Sequence, residues 1–224
     1  MTLHYHGTPI TPRFELNKLA GKSFCVSFAR PDDLNFCLKN GQSVMLDNGA
    51  FSFFTKKKKA DWYKFYNYLE PILGHPHWAI IPDVIGGGEE ENDQLLKEWS
   101  FPPELSANVW HLDEPIERLI RLSDMGMKVC FGSSGDYWQI GSEKWCRRVD
   151  LAFNALSKIG QLPWIHMLRG MAVSHLYPFG SVDSTNVARN FKNNFTCPEY
   201  MARRIDAVQG GTKWQSRAIQ GDLL

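Results

Sequence analysis

Short apolar runs, separated by polar segments, recur along the whole chain. The runs are rich in β-branched and aromatic residues, a composition typical of buried strands. They predict eight strands, at Leu3–His6, Ser23–Phe28, Ser43–Asp47, Trp78–Pro82, Asn108–Leu112, Lys128–Gly132, Trp164–Leu168 and Gly180–Asp183.

Most segments between these runs have apolar residues three or four positions apart, which places them on one face of a helix. Because alternating strands and helices form parallel sheets, we expect an α/β fold. Eight units favour a compact (β/α)8 barrel of the TIM type over an open doubly wound sheet, which usually carries a glycine-rich phosphate loop after its first strand. The predicted helices are Ala60–Ile72, Glu89–Trp99, Pro115–Met125 and Glu143–Ile159.

The two ends of the chain are the least regular parts of this pattern. The segment after the first strand contains Pro9 and Pro12 and is typical of a loop, so seven strands plus a cap is an alternative to eight. Residues from about 184 to 224 predict a loop, a helix near Glu199–Val208 and a Gly-Gly break. Since no second domain or internal repeat is evident, residues 1–224 are interpreted as a single domain.

Composition and charge limit the choice of partners. The 224 residues are 43% hydrophobic and 22% charged, as in ordinary soluble globular proteins. The net charge is only +1, so a nucleic-acid site has to be a local basic patch. Five scattered cysteines without a C-x-x-C pair indicate reduced thiols and no structural zinc cluster. Without a signal pattern or a long apolar stretch, a cytoplasmic protein that does not enter a membrane is predicted.

Three aspartates stand at the ends of predicted strands, where a barrel of this type carries its reactive groups. Asp47 ends the third strand, Asp83 follows the fourth and Asp183 ends the eighth. In the ordinary structural interpretation, Asp47 belongs to a turn, Asp83 is a helix N-cap and Asp183 pairs with Arg189. Three carboxylates in one place repel one another, however, which raises the pKa of at least one and separates a nucleophile from an acid/base group.

The residues around these aspartates resemble the tRNA-guanine transglycosylases. That family carries an Asp-Ser-Gly-Gly-Phe/Tyr-Gln stretch after a barrel strand, and residues 47–52 here are Asp-Asn-Gly-Ala-Phe-Ser. A strand-end aspartate and a glycine loop follow in the family's order, and Arg189 keeps the family's spacing from Asp183. The resemblance implies that Asp183 is the nucleophile at C1′ of the target nucleoside, forming a covalent glycosyl-enzyme, and that Asp47 is the general acid/base.

The resemblance also implies a site for the exchanged guanine-type base. It comprises a carboxylate that accepts hydrogen bonds from the base, a stacking ring, a histidine where the family has a glutamine, and two backbone donors. These residues are Asp83, Phe51, His111, Gly132 and Ser133.

The chain departs from the tRNA enzymes after Asp183, where they carry a zinc subdomain built on Cys-x-Cys-x-x-Cys and a histidine. Only Cys197 occurs in this region, so we expect no zinc-binding subdomain, no metal and no cofactor. In this respect and in length the chain is similar to the compact bacterial and phage enzymes that insert 7-deazaguanine derivatives into DNA. That likeness implies nucleic acid and a 7-deazaguanine-type base as partners, with DNA favoured over tRNA.

Contacts with nucleic acid are expected from side chains near this site. A base inside a duplex cannot reach the pocket, so the target nucleotide has to be flipped out or single-stranded. Phe53, Phe54 and Trp110 are candidates for stacking on exposed bases, although core packing is the more common role of such aromatic side chains. The candidate phosphate contacts are Lys56, Lys57, Lys58, Lys59, Arg189 and Lys192.

Two other functions are open to such a barrel. His4-x-His6 on the first strand, together with His111 and Asp183, resembles the metal site with which amidohydrolases activate water on the same fold. Against this interpretation, the sixth predicted strand ends without a histidine. The other alternative is a non-catalytic barrel that only binds a base or nucleic acid, and the three carboxylates argue against it.

Overall fold

Eight parallel strands pair in chain order, and the last pairs with the first, so the sheet closes into a barrel. The computed structural model describes residues 1–160, 162–193 and 196–218. The predicted α/β barrel of the TIM type is confirmed, and its first unit is a strand of the barrel rather than a cap. The strands are β1 (Leu3–Gly7), β2 (Ser23–Ser27), β3 (Ser43–Asp47), β4 (Trp78–Ile80), β5 (Ser106–His111), β6 (Lys128–Gly132), β7 (Ile165–Met167) and β8 (Ser181–Ser184).

Helices follow most of the strands, and the four that the sequence predicts between strands are present, at Trp62–Leu69, Gly88–Glu98, Ile116–Ser123 and Glu143–Lys158. Between β7 and β8 a 3-10 turn, Gly170–Val173, takes the place of a helix. No described helix is long and apolar enough to span a membrane. The helices of the described part are α1 (Arg13–Asn17), α2 (Leu34–Asn40), α3 (Ala50–Thr55), α4 (Trp62–Leu69), α5 (Gly88–Glu98), α6 (Ile116–Ser123), α7 (Glu143–Lys158), α8 (Asn186–Asn190) and α9 (Pro198–Asp206).

Side chains fill the inside of the barrel. Tyr5, Trp78 and His166 meet edge to face in its middle, with ring centroids 5.3 to 6.0 Å apart. The Trp78 indole N–H donates to the Tyr5 hydroxyl over 2.8 Å. The interior is therefore packed, and barrels of this type carry their functional sites where the C-terminal ends of the strands lie. This end of the barrel is called the mouth below.

Apolar side chains also pack between the strands and the surrounding helices. α7 begins after Ser142, whose hydroxyl accepts a hydrogen bond from the Trp145 amide over 3.2 Å, and it buries one apolar face. Trp110 is fully buried, packs on Phe131 with centroids 5.1 Å apart, and donates its indole N–H to the Pro115 carbonyl. The prediction that Trp110 stacks on exposed bases is therefore wrong.

The outward side of β1 binds the C-terminal segment. His4 Nε2 lies 2.8 Å from the Val208 carbonyl oxygen, and His6 Nε2 lies 2.9 Å from Asp206 Oδ1. Asp206 is the last residue of α9, which forms where the sequence predicts a helix, and Val208 follows it. Residues 194–195 and 219–224 of the predicted C-terminal segment lie outside the described residues.

Candidate active site at the barrel mouth

The three predicted carboxylates lie together at the mouth. Asp47 is the last residue of β3, Asp183 lies near the end of β8, and Asp83 follows the end of β4. Burial, followed by the charges of all three carboxylates, raises the pKa of the Cys130 thiol below them. The mouth is therefore a cluster of acidic groups above a packed interior.

Asp47 has the properties of an acid/base group. Its side chain is partly exposed at the mouth, yet desolvation by the surrounding protein, together with the charges of Asp183 and Asp83, raises its pKa from 3.8 to about 7. Its Oδ2 accepts the Gly49 amide over 3.2 Å. Gly49 has φ +80°, a conformation that glycine adopts freely and that lets α3 start directly after β3. Near neutral pH both protonation states of Asp47 are therefore populated.

The Asp83 carboxylate is held from two sides. Its Oδ1 accepts a hydrogen bond from Asn48 Nδ2 over 2.7 Å, and its Oδ2 lies 3.0 Å from His111 Nε2. Burial lowers the pKa of His111, but the contact with Asp83 and the charges of Glu114 and Asp113 together outweigh burial, so the pKa is raised overall. Gly87 precedes the first residue of α5, so Asp83 does not cap this helix.

Gly132 and Ser133 lie beside His111. β5 and β6 pair His111 with Gly132, and a Cβ at position 132 would lie only 3.0 Å from His111 Nδ1. The Ser133 hydroxyl accepts the Trp145 indole N–H over 3.0 Å. Among the described residues the Ser133 amide N–H has no acceptor, so it is free to donate to a ligand.

Asp183 is oriented by a chain of hydrogen bonds behind it. Its Oδ1 accepts the Arg169 amide N–H over 2.7 Å and lies 3.2 Å from His166 Nε2. The Ser181 hydroxyl lies 2.8 Å from His166 Nδ1 and accepts the Trp164 indole N–H over 3.0 Å. Because a carboxylate only accepts, His166 Nε2–H donates to Asp183, and Nδ1 of the neutral imidazole accepts the Ser181 hydroxyl proton. Sequence analysis assigned no role to His166.

Phe51 lies at the mouth under an arginine. The guanidinium of Arg169 is centred 4.6 Å from the centroid of the Phe51 ring, which is 50% exposed. Phe51 belongs to the first turn of α3, and Arg169 follows β7, so the stack joins the start of this helix to the segment after β7. One face of the ring that was predicted to stack on a base is occupied by this cation.

Lys56 to Lys59 lie in the loop between α3 and α4. All four side chains are exposed, and none forms an ion pair with a carboxylate of the described part. Since α3 starts at the mouth and α4 returns along the barrel, this loop lies on the rim of the mouth. Phe54 is 57% exposed beside it, whereas Phe53 packs against Phe28 and Trp62.

Arg189 and Lys192 lie outside this cluster. Arg189 is exposed in the last turn of α8, and the ion pair with Asp183 that the sequence allows does not form, because Asp183 binds His166 and the Arg169 amide instead. Lys192 is exposed, with its ammonium 5.7 Å from the centroid of the Phe191 ring.

The histidines of the alternative metal site do not meet. His4 and His6 point away from the barrel interior and bind Val208 and Asp206, whereas His111 lies at the mouth. Within residues 1–160, 162–193 and 196–218, no three His, Cys, Asp or Glu side chains are arranged to hold a metal ion. The amidohydrolase-like constellation predicted as an alternative is therefore not assembled.

Comparison with known proteins does not assign the chain to a family. It matches none of the protein-family models, curated proteins or solved structures with which it was compared. Its function has to be argued from the chemistry of the mouth.

Proposed function

We propose that the protein is a base-exchange transglycosylase, which replaces guanine in nucleic acid with a 7-deazaguanine derivative. The observation that carries this proposal is the difference between two carboxylates of one mouth. Asp47 has a pKa of about 7, whereas Asp183 is fixed by two N–H donors. Such a division suits a double displacement at a glycosidic carbon, with one carboxylate as nucleophile and the other as acid/base. The resemblance of residues 47–52 to the tRNA-guanine transglycosylases supports the same conclusion.

The reaction proceeds in two displacements. Asp183 Oδ2, which accepts no hydrogen bond in the described part, attacks C1′ of the nucleoside, and the C1′–N bond breaks. Its electron pair goes to the ring nitrogen of guanine, which takes a proton from Asp47. The Asp47 carboxylate then removes the proton from the incoming 7-deazaguanine. The deprotonated nitrogen attacks C1′ and releases the Asp183 carboxylate.

The base lies between the carboxylate of Asp83 and the ring of Phe51. A carboxylate has about four acceptor positions, so Asp83 can bind a guanine edge in addition to its present partners. The Ser133 amide supplies a donor for the base carbonyl. A cavity of about 190 Å³ borders His111 and extends the mouth towards the loops after β4 and β5. It is lined by Gly86, Gly88, Glu89, His111, Asp113, Glu114 and Pro115.

Nucleic acid reaches the mouth along the lysine-bearing rim in this proposal. The protein has a net charge of only +1, so attraction of a polyanion depends on local groups such as Lys56 to Lys59. The exposed ring of Phe54 lies next to them and adds a stacking surface for a flipped or single-stranded base. We favour DNA over tRNA as the substrate, on the likeness to the compact DNA-modifying enzymes.

The test is release of labelled guanine from DNA and from tRNA, supplied in parallel with candidate 7-deazaguanines. Wild-type protein is expected to release guanine from one of them, and Asp183→Asn to lose at least about 1000-fold in rate because the amide is not a nucleophile. Asp124→Asn is the control, since Asp124 follows α6 at the end of the barrel opposite the mouth. Release that persists in Asp183→Asn, or no release from either substrate, refutes the proposal.

A further inference from the structure

Arg169 has an unusual backbone conformation that fixes it beside the nucleophile. Its φ of 58° and ψ of 24° lie in the left-handed region, which residues other than glycine rarely adopt. In this conformation its amide N–H donates to Asp183 Oδ1 over 2.7 Å. The backbone of Arg169 is therefore hydrogen-bonded directly to the carboxylate that is the predicted nucleophile.

The guanidinium of Arg169 has no carboxylate partner. None of the ion pairs of the described residues includes it, and its one hydrogen bond, from Nη2 to the Ser133 carbonyl, is long at 3.4 Å. Burial lowers the pKa of Arg169, and the negative charge of Asp183 opposes this effect only in part. A guanidinium carries five N–H donors, so most of them are unused here.

We propose that Arg169 binds a backbone phosphate of the nucleotide whose base enters the mouth, and that it leaves Phe51 to do so. This inference rests on the proposed function. The phosphates are bonded to the same sugar that Asp183 attacks, so they come close to the residue that holds Asp183. The planar guanidinium fork matches two phosphate oxygens and can bind them through two parallel N–H···O hydrogen bonds. Departure of the guanidinium frees the face of Phe51 on which the base stacks.

The negative charge of the mouth also favours a phosphate contact by Arg169. Asp47, Asp83 and Asp183 repel a polyanion, and the lysines of the rim lie in the loop between α3 and α4 rather than at the ends of the strands. A cation at the mouth offsets that repulsion where the scissile bond has to lie. Arg169 is the described arginine that contacts both the β3 and the β6 side of the mouth.

The test measures equilibrium binding of single-stranded oligonucleotides that contain one guanosine, as DNA and as RNA, to protein carrying Asp183→Asn to prevent turnover. In a second set, methylphosphonates replace the two phosphodiesters that flank the guanosine. We expect Arg169→Gln to weaken binding of the native oligonucleotide about tenfold and to reduce the salt dependence by about 0.7 in log–log slope, the loss of one phosphate contact. Arg169→Lys keeps the charge and should recover part of the affinity.

The methylphosphonate oligonucleotides decide the outcome. If Arg169 binds a flanking phosphate, they bind equally to the Arg169→Gln protein and to the protein with Arg169. A tenfold difference that persists, an unchanged affinity for native oligonucleotide, or no binding at all overturns the inference. Arg147→Gln is the matched control, since Arg147 is exposed on α7 and paired with Glu143. If binding depends on Arg169 but the wild-type protein releases no guanine in the exchange assay, the base-exchange function is refuted and the phosphate contact of Arg169 stands.

Discussion

At the scale of single residues, Asp183 depends on a buried histidine. His166 is fully buried, and the Ser181 hydroxyl donates to its Nδ1 from the side of the ring opposite Asp183. The Nε2–H of His166 points at the carboxylate and restricts its rotation. His166 touches no substrate in the proposed reaction and acts as a positioning residue.

Replacing His166 by glutamine should therefore reduce kcat and leave KM nearly unchanged. We expect a loss of about 10- to 100-fold, the cost of misplacing a reacting group by about 1 Å. Steady-state exchange kinetics give both constants, and Ser181→Ala should show a smaller loss of the same kind. Ser43→Ala, which removes a hydroxyl bonded to Tyr5 and Pro76, is the control for general damage to the interior. A rise in KM at constant kcat would contradict the positioning role.

The raised pKa of Asp47 has a consequence for stability. The carboxyl titrates near 7 in the folded protein and near 3.8 when unperturbed, so between these values the folded state holds a proton that the unfolded chain has released. Stability from this group is therefore present at low pH and lost as the pH rises through that window. Asp47→Asn should gain stability relative to wild type from about pH 4 to about pH 8. Urea unfolding across this range measures the difference, and a difference independent of pH would exclude the raised pKa.

At the scale of elements, the pairing of β5 with β6 explains the glycine at position 132. His111 and Gly132 are partners in that pairing, and the His111 ring occupies the space that a side chain at 132 would need. His111 cannot move away easily, because Asp83 holds its other nitrogen.

Gly132→Ala should therefore lower the free energy of unfolding by about 1–3 kcal/mol, the usual cost of overpacking. Base exchange should weaken as well, since His111 and Asp83 shift together. Gly74→Ala is the control, because a Cβ at position 74 meets no atom within 4 Å and should leave stability nearly unchanged. Chemical denaturation of the two variants makes the comparison, and equal stabilities would show that the mouth accommodates the methyl group.

The elements also show what a single sequence can predict. The eight strands were predictable because each is a short buried run, and α4 to α7 because they bury one regular face. The short α3 was missed, since the residues after Asp47 carry a turn signal at Gly49 and no helical period. The role of His166 was not predictable either, because it depends on the register that places His166 opposite Ser181 in β7 and β8.

At the scale of the whole molecule, the barrel topology brings together residues that no local sequence pattern connects. Asp47, Asp83 and Asp183 are far apart along the chain, and only the rule that parallel strands end at one face predicts that they meet. Their exact partners, such as Asn48 for Asp83 and the Arg169 amide for Asp183, follow from loop conformations. The near-neutral total charge hides an acidic mouth with a basic rim.

The pairing of β8 with β1 links assembly of the active site to closure of the barrel. Asp183 lies on β8, opposite Tyr5 of β1, so the two paired residues come from opposite ends of the barrel sequence. Contacts of such long sequence separation carry the largest loop-closure entropy and form late in folding. A chain that has not yet docked β8 has two unpaired sheet edges, which are prone to aggregation, and lacks the carboxylate that we propose as the nucleophile. Catalytic competence should therefore appear only with the last step of folding, and base exchange would report on ring closure itself.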